Sequence, residues 1–321
     1  MDQQPLTGEA SKDSFTNKYQ KNPSATLDPP MQHYPLVLDT DIGDDIDDAL
    51  ALSLVLNSPE IELRGITTVF RDAPRRTLLV KQLLGLMNAP DIPVAAGASR
   101  PLIQPWSAIP HGGSQLGKQF EALDTSALPE GGPHAIEFLA KQIHLAASQD
   151  QRLTIAVIGP LTNIALLFSV YPDVVSLCDL LIMGGKWSEA SPEWNIECDP
   201  EAAAIVFSSG ANITMVGLDV TLQCVLSDAQ VADFSTANKR HTHFLADLIA
   251  LWAHPITLHD PLTLLVLFDE CVRFEPKRIE VGLCGEARGL TITTGGEANC
   301  RVAVSVDAER AKSVFMERVL A

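Results

Sequence analysis

Residues 36–52 read Leu-Val-Leu-Asp-Thr-Asp-Ile-Gly-Asp-Asp-Ile-Asp-Asp-Ala-Leu-Ala-Leu: an apolar run, a loop carrying six aspartates, and a second apolar run. The first run reads as a buried strand and the second as a helix starting near Asp47. An acidic loop between the two suits the carboxyl edge of a parallel sheet, where such folds place their chemistry. Carboxylates crowded this closely repel one another, and a fold holds them most easily when a divalent cation neutralises the cluster. The stretch therefore predicts an α/β fold and a metal site together.

The same alternation runs outward from it. Ile61 to Thr68 reads as a strand and Pro74 to Met87 as a helix, and Leu153 to Ile158, Leu180 to Met183 and Ile213 to Val216 read as further strands between helices. Repeated βα units predict a single α/β domain over residues 35–321, with a mostly parallel central sheet of the Rossmann-like kind flanked by helices. Arg278 to Val281, Leu290 to Thr293, Val302 to Val304 and a last helix are expected to finish or flank that sheet. The loops after Leu38, Thr68, Ile158 and Met183 should then open on one crevice. Residues 97–132 are dense in Pro and Gly and read as an irregular rim over it. Residues 1–34 have few apolar side chains and read as a disordered or loosely packed extension.

Composition narrows the function classes. With 321 residues, 46% of them hydrophobic, and a net charge of -17, the chain has material for a large core and none of the basic character that nucleic-acid binding requires. Its short basic pieces, Arg75-Arg76 and Lys239-Arg240-His241, read as solvated helix faces, and His241 and His243 as surface residues. No run is long and apolar enough to cross a membrane, and no apolar leader is visible at the amino terminus. Six scattered cysteines without metal-like pairing read as free thiols, so a cytoplasmic location is expected. No Walker loop, G-x-G-x-x-G, H-E-x-x-H or G-x-S-x-G occurs.

Two familiar uses of paired aspartates fit the loop poorly. As a calcium loop of the EF-hand kind counted from Asp39, position 6 is Asp44 instead of Gly and position 12 is Leu50 instead of Glu. As a phosphatase of the haloacid dehalogenase type, Asp39 would be the nucleophile and Asp41 the acid/base, which leaves the later aspartates without a purpose. The full run Asp39-Thr40-Asp41-Ile42-Gly43 with Asp47-Asp48-Ala49 resembles the signature of the inosine-uridine-preferring nucleoside hydrolase family. Further blocks resemble that family in its order: Gly65-Ile66-Thr67-Thr68-Val69, Pro93-Val94-Ala95-Ala96-Gly97, His111-Gly112, Gly159-Pro160-Leu161-Thr162-Asn163, Met183-Gly184-Gly185, Glu193-Trp194-Asn195, Asp199-Pro200-Glu201-Ala202 and His259-Asp260.

The resemblance implies Ca²⁺-dependent hydrolysis of the N-glycosidic bond of a ribonucleoside or related N-riboside. It implies a metal held by Asp41, Asp48, the Thr162 carbonyl and Asp260, all hard oxygen donors that suit Ca²⁺. Asp41 would also take the proton of the attacking water, with His259 or His111 protonating the leaving base. Asp47, or Asp45 given the longer loop, would hold the ribose hydroxyls, helped by Glu193, Asn195 and Met183. Family members commonly assemble as dimers or tetramers, so a homo-oligomer is expected. The chain also departs from the family: three residues, Asp44, Asp45 and Ile46, stand where one is usual between the Gly and the Asp pair. Phe70-Arg71-Asp72 replaces a Gly-Asn, which places Asp72 near the substrate, and Lys186-Trp187 stands where a ribose-contacting Asn is expected, which makes Trp187 a candidate for substrate contact. Trp106 and Trp187 are read as faces for stacking a base, Trp194 and Trp252 as packing residues. A protein that binds a ribosyl ligand with Ca²⁺ and does not hydrolyse it is the non-enzymatic alternative.

Overall fold

Strand β1 (Tyr34–Thr40) has parallel neighbours on both sides, β2 (Ile61–Thr68) and β4 (Leu153–Val157), and from it the sheet grows in two directions. On one side the chain adds β2 and β3 (Val94–Ala96); on the other it adds β4, β5 (Cys178–Met183) and β6 (Asn212–Val216). β9 (Cys300–Val306) lies parallel to β6, and β7 (Val272–Val281) and β8 (Thr291–Thr294) close the sheet antiparallel, giving the order β3-β2-β1-β4-β5-β6-β9-β7-β8. The point where strand order reverses lies between β1 and β4, which is where open α/β sheets form their ligand crevice. The computed structural model describes residues 33–109, 117–123 and 134–321. The expected extension at residues 1–34 falls, except for His33 and Tyr34, outside the described residues, and β1 already begins at Tyr34.

Strand alternation sorts the β1 side chains between two cores. Leu36 and Leu38 join a cluster with α1 (Asp47–Leu56), α2 (Ala73–Leu86), α9 (Arg240–Ala250), α10 (His259–Leu265) and α11 (Ala308–Leu320). Val37 faces the other cluster, with α3 (Ala135–Ser148), α4 (Thr162–Val170) and α6 (Pro200–Phe207). By the same alternation Asp39 falls on the α4 side, where Asn163 Nδ2 donates to its Oδ1 at 2.7 Å, and Thr40 falls on the α1 side, where its hydroxyl donates to Asp48.

Helix α1 is buried from Asp47 to Val55, sheathed by the sheet and α10, which explains why its sequence is apolar on every face. The remaining helices are α5 (Trp194–Cys198), α7 (Leu218–Thr221) and α8 (Asp228–Thr236). Side-chain caps start several helices: Asp72 accepts from Arg75 N, Asp199 from Ala202 N and Asp307 from Arg310 N. The cysteines among the described residues are free, and no described helix is long and apolar enough to cross a membrane. Two expectations about basic residues fail. Arg76 is fully buried and His241 is buried with Nε2 on the Val319 carbonyl, because α2 and α9 both pack on the first core through those faces.

Candidate active site

The loops after β1, β2, β4 and β5 line one cavity of about 610 Å³, completed by the segment around α7 and the loop leading into α10. Its floor is acidic. Carboxylate oxygens of Asp47, Asp48 and Asp260 lie within 4.8 Å of one another, all three side chains being buried, and Asp41 opens into the same space. The Asp47 Oδ2 accepts the Asp260 N–H at 3.1 Å, so the first turns of α1 and α10 are tied at their amino ends. Burial and then the neighbouring carboxylates push Asp47, Asp48 and Asp260 well above the usual carboxylate range. Burial raises Asp41 to about 7 against the opposing charge of Arg76. A cluster of oxygens that resists ionising when empty is the donor set a hard divalent cation would stabilise.

Arg76 makes the acidic loop foldable. Its guanidinium donates to the carbonyls of Asp41, Ile42 (2.8 Å) and Phe70 (2.9 Å) and to Asp44 Oδ2 (2.9 Å). Arg71 pairs with the same Asp44 oxygen at 2.7 Å and its guanidinium stacks over Phe70 and Trp194. Phe70 and Arg71 both take left-handed backbone (φ 68 and 54), a conformation that costs non-glycine residues energy and is held here by these contacts. The Gly117 N–H and the Gln119 side chain clasp the loop from outside, bonding Asp44 Oδ1 and the Asp45 carbonyl. Asp44 is thus a buttress of the loop. Asp45, raised to about 6 by burial, lines the cavity.

Glu193 and Asn195 enter from the β5–α5 connection with most of their hydrogen-bonding capacity already used. Glu193 accepts the N–H groups of Gly185, Asn195 and Ile196 at 3.0 to 3.1 Å, and burial raises its pKa despite those donors. Asn195 Nδ2 donates to the carbonyls of Ile158 and Met183 at 3.1 and 3.2 Å. What each retains toward the cavity is therefore acceptor capacity, suited to hydroxyl donors. His259 opens into the cavity with Nδ1 on Thr221 Oγ1 at 2.8 Å, and burial pushes its imidazole down to about 4.

Several sequence expectations are corrected. Asp72 points away from the cavity and caps α2. Trp187 lies outside it, its Nε1 on the Ala303 carbonyl and Lys277 over its ring, because Asp219 holds the Trp187 and Ser188 N–H groups. The Thr162 hydroxyl donates to Asp199 Oδ2 at 2.7 Å, a contact separate from the role expected of its carbonyl, and Ile158 of the same strand-to-helix turn lines the cavity. His111 lies outside the described residues. Among the tryptophans the reading reverses, since Trp194 and Trp252 line the cavity and Trp106 packs on Phe70 at 5.5 Å. Asp39 is fully buried under Thr67 and Asn163 and does not reach the cavity, so it is not placed as a phosphatase nucleophile. Arg71 and His254 are cavity residues the sequence reading missed. The surplus of acid in the loop was the available signal for a buried arginine partner; nothing local marked His254.

Known proteins resemble this chain in sequence and in fold. The sequence pattern described as inosine-uridine preferring nucleoside hydrolase matches residues 36–313. A pyrimidine-specific ribonucleoside hydrolase, RihA, of Salmonella gallinarum is 33% identical over 89% of this chain and 98% of its own. Among solved structures, a purine-preferring ribonucleoside hydrolase from Gardnerella vaginalis is 30% identical with a TM-score of 0.74 over 89% of this chain and 98% of its own. A plant nucleoside hydrolase, PpNRh1, is 26% identical with a TM-score of 0.77 over 91% of this chain and 100% of its own. With its acidic loop at the switch point of the sheet and a match running from β1 into the last helix, the chain belongs to the inosine-uridine preferring nucleoside hydrolase family.

Proposed function

We propose that the protein hydrolyses the N-glycosidic bond of a ribonucleoside or related N-riboside, releasing base and ribose, with Ca²⁺ bound at the acidic floor. The observation that carries this reading is the buried convergence of Asp47, Asp48 and Asp260 beside Asp41, at the bottom of a cavity whose wall offers acceptors for sugar hydroxyls. Asp41, Asp48 and Asp260 would hold the cation, with the Thr162 carbonyl as the backbone ligand the resemblance implies. A bound Ca²⁺ would orient the attacking water and make it more acidic.

Asp41 would receive the proton of that water, its carboxyl opening into the cavity beside the other acids of the floor. Asp47 has one oxygen on the Asp260 N–H and the other available for ribose hydroxyls. Glu193 and Asn195 accept from the remaining hydroxyls and give the sugar its orientation. Charge grows positive on the sugar as the bond to the base loosens, and the surrounding carboxylates stabilise that state. Relatives named pyrimidine-specific and purine-preferring lie at similar distance, so the base preference is taken from a substrate panel. Purified protein supplied with Ca²⁺ is expected to liberate reducing sugar from at least one purine or pyrimidine ribonucleoside. Asp41→Asn is expected to lower that rate by about 10²- to 10⁴-fold with the circular dichroism spectrum unchanged; wild-type turnover in the variant would remove Asp41 as the base. Tight nucleoside binding with no sugar released by the wild type would favour the non-hydrolysing binder instead.

A further inference from the structure

The Glu193 carboxylate can meet a ligand only where its backbone frame holds it. Two of the N–H groups it accepts, those of Asn195 and Ile196, belong to α5, the helix that it caps. The third, the Gly185 N–H on Oε2 at 3.0 Å, comes from outside that helix and ties the carboxylate to the end of β5. Gly185 has φ +72, so the direction of its N–H depends on a turn that must itself be held. The peptide unit joining Gly185 to Lys186 is fixed at both ends: its carbonyl accepts the Leu218 N–H at 2.9 Å, and its N–H donates to the Thr291 hydroxyl at 2.8 Å. The same hydroxyl donates to the Lys186 carbonyl at 2.8 Å, and Thr291 is buried. A Cβ on Gly185 would lie 2.7 Å from Thr291 Cγ2, so the turn and β8 are in direct contact. Thr291 stands 105 residues from Lys186 and outside the cavity lining. The connection from β7 to β8 is anchored in turn by Arg288, which donates to both carboxylate oxygens of Glu201 on α6 and to Gln104 Oε1. Gln104 Nε2 donates to the carbonyls of Glu197 and Cys198, the last residues of α5. The β7–β8 hairpin thus supports the segment bearing Glu193 at its start and at its end.

We propose that Thr291 is a positioning residue for riboside recognition: its hydroxyl, donor and acceptor at once on Lys186, sets the Gly185 turn whose N–H aims the Glu193 carboxylate at a sugar hydroxyl. This rests on the N-ribosyl hydrolase reading above. A hydroxyl fills both roles, and a valine side chain of nearly the same shape fills neither. Without it the N–H and C=O of Lys186 lose their partner, the turn relaxes and Glu193 moves with the Gly185 N–H. A shift of that kind weakens the contact with the sugar and leaves the acidic floor as it was. The effect is therefore confined to substrates carrying the hydroxyl that Glu193 reads.

The test measures kcat/KM in the full chain supplied with Ca²⁺, on the ribonucleoside the wild type turns over fastest and on the 2′-, 3′- and 5′-deoxy forms of that nucleoside. Glu193→Gln identifies the reporter, the deoxy form whose kcat/KM falls least in that variant. Thr291→Val is expected to lose roughly 10- to 100-fold on the parent nucleoside and hardly anything on the reporter, so that selectivity for the hydroxyl collapses. Thr291→Ser, which keeps the hydroxyl, is expected to restore that selectivity. Thr293→Val, whose hydroxyl bonds the Trp187 carbonyl from the same strand, should keep wild-type selectivity. Equal losses of Thr291→Val on parent and reporter, as general loosening of the hairpin would give, overturn the assignment. So does a Thr291→Ser protein as unselective as Thr291→Val, or the same collapse in Thr293→Val. A wild type that turns over nucleosides while Glu193→Gln singles out no deoxy form defeats this inference and leaves the hydrolase reading standing, whereas a wild type inactive on every riboside defeats both.

Discussion

Arg76 spends its donors on the carbonyls of Asp41, Ile42 and Phe70 and on the carboxylate of Asp44, and so turns a repelling run of aspartates into an ordered loop. Removing one partner of a buried charge pair leaves the other uncompensated. Arg76→Met is therefore expected to lose roughly 3–5 kcal/mol of stability, read as a lowered midpoint in urea unfolding. Asp72 gives the opposite contrast. Asp72→Ala should cost about 1 kcal/mol through the lost helix cap while leaving kcat and KM for the riboside unchanged; a raised KM would return Asp72 to the substrate site. The acids of this site were legible because their chemistry is written in adjacent positions. Arg76 was not, since an Arg-Arg pair in a helix has the same sequence whether it faces water or a loop 32 residues earlier.

At the scale of elements, periodicity placed β2 at Ile61–Thr68 and α1 at Asp47–Leu56, both as expected, because a buried parallel strand and a sheathed helix are each continuous apolar runs. The loops between elements depended on contacts that periodicity does not carry. Gly43 shows this: its backbone has φ +110, and a Cβ there would lie 2.3 Å from the Phe120 ring, so the acidic loop and the 117–123 segment are fitted to each other. Gly43→Ala combines a strained backbone with a clash and is expected to cost about 1–3 kcal/mol, seen as a lower thermal midpoint, with increased hydrogen exchange in 117–123. Unchanged exchange in that segment would mean the two are not coupled. The β5–α5 connection was likewise misread at Trp187, because Asp219 on α7 fixes it from a distance of 32 residues in sequence.

At the scale of the molecule, the buried floor links metal, pH and stability. The folded pKa of Asp41 is about 7 against an ordinary 3.8, and those of Asp47, Asp48 and Asp260 are raised as well. A carboxyl raised on folding favours the folded state while protonated, so its contribution is whole below about pH 4 and is lost as pH rises through the folded pKa. Metal-free protein is thus expected to lose thermal stability between pH 5 and pH 8. Ca²⁺ at a hundredfold excess over its dissociation constant should restore about 2.7 kcal/mol, a rise of roughly 5 °C. A melting temperature at pH 8 that ignores both chelator and Ca²⁺ would sink the metal assignment. The sequence by itself determined the α/β class, the mostly parallel sheet and the acidic loop at its edge, because periodicity and clustered charge act between near neighbours. Only the tertiary structure decided that Ile158 lines the cavity, that Asp72 and Trp187 lie outside its lining, and that Arg71 and His254 belong to it. Those orientations are set by partners brought together from separate strands and by the two helical layers, and a hydrogen bond between distant residues leaves no pattern in either segment alone.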